Sequence, residues 1–200
     1  MPLLPLFPLE IVLFPGAPLP LHIFEPRYKE MIGECLEQDR PFGMVRAKEN
    51  ALASVGCSAS VVTVIKKYDD GRFDIAAEGM QRFEIITVNQ ERSFLQAEIA
   101  YFEDEPSTIG NSALDTVVQL HEQLFAVMGQ TAEVERDAAL LSFHLAQALP
   151  VDLDFKQTLL EMKSEAERIE TLTEYYRAII PKIEMSLRAR QRASGNGHVH

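Results

Sequence analysis

The chain has 200 residues, 46% of them hydrophobic, with 19 basic against 30 acidic side chains and a formal charge of -11. That is enough apolar material to bury a core without covalent staples, and Cys35 and Cys57 form no C-x-x-C pair that would suggest a disulfide framework or a zinc site. The acidic balance excludes nucleic acid as a partner, because phosphate recognition needs a concentrated basic surface. The one local excess, Arg188, Arg190 and Arg192, fits a helix C-terminus instead.

The first stretch, LLPLFPLEIVLFPGAPLPLHIF, sets prolines at 5, 8, 15, 18 and 20 among large apolar residues. Proline at that density forbids a helix and leaves short extended pieces. Pro15-Gly16 marks a turn, after which Leu19, Leu21 and Ile23 alternate with polar or imino positions at the period of a strand. Glu25-Pro26 then opens a helix, with Tyr28, Met31, Ile32, Cys35 and Leu36 at helical spacing. Strands follow at 42–46, 57–67, 72–77, 82–88 and 94–102, with Asp69-Asp70-Gly71 as a hairpin and Glu78-Gly79 as a barrel corner.

Composition shifts at Glu103-Asp104-Glu105-Pro106, and the remainder is helical. One apolar stripe joins Leu114, Val118, His121, Phe125 and Met128, and a second joins Ala138, Leu141, Leu145 and Leu149. Asp154 is placed to cap a short third helix, and Ser164 with Glu167 has the spacing of a capping box for the longest, in which Pro181 predicts a kink or break. The fold class is α+β: residues 1–105 form a small β-barrel subdomain with one inserted helix, 106–193 a helical bundle subdomain with a long last helix, and 194–200 a disordered tail. No apolar run reaches membrane-spanning length, and the opening run lacks a basic leader and is broken by prolines and Glu10. Such a chain is expected in a reducing cytoplasm, away from membranes.

The opening PLFPLEIVLFPGAPLPLHIFEPRYKEMI resembles the start of the Lon protease N-terminal domain, especially its small stand-alone bacterial versions. PFGMV at 41–45, AAEGMQRFEI at 76–85 and, more weakly, KQTLLEMKSEAERIETL at 156–172 fit the same family in order and spacing. The resemblance implies a PUA-like pseudo-barrel and a role in capturing polypeptide.

Lon enzymes couple an ATPase motor to a serine-lysine protease, and neither engine is legible. No glycine starts the G-x-x-x-x-G-K-[ST] phosphate cradle, and Gly56-Cys57-Ser58-Ala59-Ser60 lacks the second glycine of a nucleophile elbow. Cys35 and Cys57 read as packing residues; His22, His121 and His144 read as satisfied core or interface residues, and His198 and His200 as tail. Glu165, Glu167, Glu170 and Glu174 read as a solvent face, and Glu78 as holding the corner through a salt bridge, with Arg82 nearby, or a turn bond. The expectation is therefore a module with no catalytic residue, cofactor or metal, recognising unfolded polypeptide or peptide. Met80, Phe94 and Phe102, apolar residues near strand ends or turns, are the expected binding patch, with a place in the core as the equal alternative for them. The alternative is an adaptor that docks another protein, or a second copy, through the stripe Ile169, Leu172, Tyr176, Ile179, Ile183 and Leu187.

Overall fold

A computed structural model describes residues 3–49, 51–135 and 140–195, with side chains to residue 189. The chain divides into two compact units, Met1–Asp104 with Leu149–Lys163, and Glu105–Ala148 with Ser164–His200. A single cut at 105/106 leaves residues 149–163 with the helical segment, whereas they pack in the unit of the sheet.

In the first unit, β1 (Leu4–Leu9), β7 (Gln96–Tyr101), β6 (Phe73–Asn89), β5 (Val55–Lys67) and β3 (Phe42–Lys48) pair in that order. Parallel pairing of β1 back onto β3 closes them into a five-stranded barrel. Full closure removes exposed edges from this part of the sheet. Inside lie Leu4, Leu6, Val45, Phe83 and Ala97. The ring of Phe83 fits because Gly56 has no Cβ, which would sit 2.6 Å from it. β2 (Pro18–Ile23) pairs with the first part of β6, and the short β4 (Ala51–Leu52), which carries no sequence signal, pairs with β3.

The Pro15-Gly16 turn forms as the dipeptide predicts: Ala17 N–H donates to the Phe14 carbonyl, and Gly16 sits at φ +73°. α1 (Pro26–Gln38) carries proline at its start and buries Tyr28, Met31, Ile32 and Cys35, with Tyr28 stacked on Phe7 at 4.1 Å. Leu36, expected on the same stripe, is exposed. The two strands expected at 72–77 and 82–88 are one, β6. Gly79 lets it run on, because the 14–17 turn packs directly on the glycine backbone through Gly79 N–H to Ala17 O and Gly16 N–H to Gly79 O. A β-bulge between the Cys57 and Ala59 registers bends the strand there.

α4 (Leu153–Glu161) docks on the barrel. Its cap is Asp152, which accepts from Phe155 N–H at 2.8 Å, and not Asp154. Asp154 instead pairs with Arg46 at 2.7 Å and Lys48 at 3.0 Å on β3. At the other end of α4, the buried Arg82 guanidinium donates to the carbonyls of Leu160 and Met162 and pairs with Asp104. Arg82 thus caps a helix, while Glu78, its candidate partner, is exposed and has no ion pair to it.

In the second unit α2 (Asn111–Val127), α3 (Leu141–Ala148) and α5 (Glu165–Gly195) pack together. His121 Nδ1 meets the Tyr176 hydroxyl at 2.7 Å, both groups being buried. Glu165, expected on the solvent side, accepts from the Ser142 amide and hydroxyl at 2.8 and 2.6 Å and pairs with the buried Arg168. Arg168 in turn lies 4.2 Å over the Phe143 ring. Ser164 caps α5 by accepting from Glu167 N–H, and the helix runs through Pro181. Arg188 pairs with Glu184, while the side chains of Arg190 and Arg192 lie outside the described residues, as does Ala138. Of the tail expected at 194–200, Ser194 and Gly195 complete α5 and the rest lies outside the described residues.

Candidate functional site

The barrel's pairing ends before β5 does. β3 accompanies β5 only from Cys57 to Ala59, whereas β5 continues with β6 to Lys67. From Ser60 onward, β2, β6 and β5 form a three-stranded ledge in which the outer edge of β5 has no strand partner among the described residues. An edge of this kind turns unpaired N–H and C=O groups toward solvent.

Two bulges shape that edge. Val61 and Thr63 pair with the consecutive residues Ala77 and Ala76, and Val64 and Lys66 with Ile75 and Asp74, so Val62 and Ile65 are the extra residues. A bulged residue leaves the alternation of the sheet and is re-aimed. Val62 and Ile65 are accordingly 64% and 63% exposed. Glu78 of β6 stands opposite Ser60, and at the far end of β5 Lys66 stands opposite Asp74, with Lys67 beside it.

The outer face of the ledge is held by a cross-strand cluster. His22 pairs with Asp74, which pairs with Lys66, so the three share a face. His22 Nδ1 lies 2.5 Å from Asp74 Oδ1, and the Tyr68 hydroxyl donates to Asp74 Oδ2 at 2.8 Å. The bonds from His22 and then Tyr68 hold the Asp74 carboxyl below its usual range, and the same carboxylate raises the Tyr68 phenol. Lys66 stands 4.4 Å over the Tyr68 ring, and the exposed Phe24 stacks on His22. His22 is therefore satisfied by a partner, as expected, but on an exposed face and not in a core.

Chemically the ledge sets a base and a carboxylate beside exposed apolar side chains. His22 and Asp74 stand as a base and its orienting carboxylate, yet no hydrogen bond among the described residues joins His22 to a hydroxyl or thiol. Ser58 is buried, exchanging bonds with the Gln81 backbone. Burial pushes the Cys57 thiol up to about 12 and raises Cys35 as well, the opposite of nucleophile activation. Among the described residues no three His, Cys, Asp or Glu side chains are grouped to hold a metal ion, and no helix is long and apolar enough to cross a membrane.

The three residues expected to form the patch are separated. Met80 is 55% exposed on β6. Phe102 is half-buried between the cations of Arg82 and Lys163, at 4.6 and 4.9 Å. Phe94 is only 2% exposed, roofed by the Arg92 guanidinium at 4.4 Å, and precedes β7 where Phe102 follows it. Eight residue steps along the chain put Phe94 and Phe102 roughly 26 Å apart along an extended strand. The ledge residues Val62 and Ile65 were missed because Val61-Val62-Thr63-Val64-Ile65 reads as a buried β-branched run. The usable signal was its lack of alternation, since a period of two cannot turn five successive apolar or β-branched side chains inward.

The family model for the ATP-dependent protease La (LON) substrate-binding domain matches residues 3–177. The chain belongs to that family. Among solved structures, the Lon N-terminal domain protein from Xanthomonas campestris superposes with a TM-score of 0.71 at 24% identity, covering 88% of this chain and 99% of that one. The N-terminal domain of Mycobacterium avium complex Lon protease gives 0.64 at 15% identity, covering 88% and 98%. These likenesses establish a shared α+β fold. Among curated relatives, Lon protease 1 of Hydrogenovibrio crunogenus is 24% identical over 92% of this chain, and Lon protease of Escherichia coli K12 is 24% identical over 94%. The chain spans only 24% and 26% of the lengths of those two proteases, and the family model it matches is that of the substrate-binding domain.

Proposed function

We propose that this Lon substrate-binding domain protein recognises unfolded or extended polypeptide and does not cleave it. The observation that carries the reading is the ledge, where bulges turn Val62 and Ile65 into solvent beside an unpaired strand edge. Exposed apolar side chains on a charged, monomer-like surface mark interaction sites when they cluster, and they suit a ligand whose own apolar residues are uncovered. The absence of activated nucleophiles at Ser58, Cys35 and Cys57 supports binding without hydrolysis, and their reduced, buried thiols suit a cytoplasmic setting. Met80 and the half-buried Phe102 remain part of the proposal as individual apolar contact points outside the ledge.

The test is to mix the purified chain with a reduced, alkylated protein and with the same protein in its native form. Complexes are read by gel filtration and the polypeptide by intact mass. The reading expects a complex with the unfolded form alone and an unchanged mass; equal binding to both forms, or fragments that persist after repurification, refutes it. A second reading, docking of a partner protein through α5, has its own observation: Met185 is 69% exposed and Leu187 is also exposed on the last turns. Met185→Glu with Leu187→Glu would abolish such a complex and leave unfolded-chain binding intact.

A further inference from the structure

We infer that the outer edge of β5, from Ser60 to Lys67, is a strand-addition site: an extended apolar segment of a non-native polypeptide pairs with it through main-chain hydrogen bonds and becomes a fourth strand of the ledge. The inference rests on the proposed polypeptide-binding function and specifies its mode.

Three observations carry it. The edge is open over eight residues, and the groups it exposes are backbone donors and acceptors that another extended backbone satisfies. Natural sheets blunt such edges with charges, prolines or bulges; this edge is bent by two bulges and has lysines at one end, but its middle, Val62, Thr63, Val64 and Ile65, carries no charge and no proline. The two bulged side chains, three residues apart, are both exposed within this same edge segment.

A flexible segment suits this edge better than a second copy. Two rigid edges, each bent by bulges at Val62 and Ile65, would have to match bulge for bulge, whereas an unfolded chain takes up the bent path as it binds. The strand partner supplies affinity through its backbone, so many sequences are accepted provided they are extended and apolar. Sequence tolerance of that kind is what capture of non-native chains requires.

The experiment uses fluorescence anisotropy of the full chain with a labelled ten-residue Val/Thr/Tyr peptide carrying Asp at one end. Two further peptides have the same sequence with N-methyl groups on alternate residues, one in each frame. An added strand uses one of its edges, so one methylated frame is expected to lose about tenfold or more in affinity while the other keeps the parent's affinity. Amide exchange should slow within Ser60–Lys67 on peptide binding, and Val62→Asp with Ile65→Asp, at exposed positions, should weaken the parent peptide about tenfold with the circular dichroism spectrum unchanged. Equal binding by both methylated frames, or protection confined to other segments, overturns strand addition and leaves polypeptide binding standing. A concentration-dependent dimer that the double substitution abolishes assigns the edge to a second copy and overturns it too. Failure of both the peptide and the alkylated protein to bind removes the wider reading together with this one.

Discussion

Replacing Arg82 by methionine should cost the first unit a large part of its margin of stability. The guanidinium is buried, donates to Leu160 O at 3.0 Å and Met162 O at 2.5 Å, pairs with Asp104 and covers the Phe102 ring. Methionine keeps the apolar stem and removes the donors. That leaves two carbonyls at the end of α4 without their donor and a mostly buried Asp104 carboxylate without its cation. An orphaned buried polar group costs about 1–3 kcal/mol, and removing one partner of a buried ion pair costs about 3–5 kcal/mol, terms that overlap because the groups are shared. The expected loss is about 4 kcal/mol against a total of about 5–15 kcal/mol for a domain. Guanidinium denaturation gives the loss, and amide exchange locates it: α4 should lose protection before β6 does. Adding Asp104→Asn should recover part of the loss, since the uncompensated charge goes with it. Stability within about 0.5 kcal/mol of the parent would refute the assignment of Arg82 as the clamp on α4.

Gly79→Ala should be among the most damaging methyl additions in the chain, because the new Cβ runs into the Phe14 carbonyl and Leu13 side chain. We expect a loss of about 3 kcal/mol or failure to fold, checked by thermal melting, with Gly33→Ala, which meets no atom within 4 Å, as the control. His121, lowered by burial to about 4, stays neutral in the fold while an unfolded histidine gains its proton near 6.5. The unfolded state then binds the extra proton, so this contribution is complete above about pH 6.5 and is lost as pH falls toward 4. His121→Asn should flatten that part of the stability profile measured by denaturation at each pH. Cys35 and Cys57 should react with a thiol reagent at pH 8 only after unfolding, since both are buried with raised pKa values. Rapid labelling of the folded chain would contradict their placement.

The elements that could be read from sequence are those whose signals are local. Proline density and the Pro15-Gly16 turn give β1, β2 and the turn between them, and Glu25-Pro26 with its helical stripe gives α1. Gly79 looks like a break because a glycine in a strand has two uses, bending and close approach, and only the tertiary neighbour, the 14–17 turn, decides between them. The buried arginines were illegible for a related reason. Arg82 and Arg168 are of a type that is mostly exposed, and Arg82 finds its partners 22, 78 and 80 residues away. Glu165 looked solvent-facing because helical periodicity cannot foresee that Ser142 and Arg168 converge on it. The ledge was hidden by register. A β-branched run says strand, but which residues a bulge ejects depends on pairing with β6, a property of two segments together. The place of Phe94 near a turn left surface and core equally open, and the structure puts it in the core, where Arg92, fixed by Glu30 and Glu34 on α1, covers it.

The most direct measurement is an equilibrium titration of one labelled, permanently unfolded protein with the parent chain and with the Val62→Asp, Ile65→Asp double variant, each first shown to be folded. The account predicts saturable binding to the parent, weakened about tenfold or more in the variant. Binding that is the same for both chains would contradict the ledge as the site, and no binding to the parent would contradict the function itself.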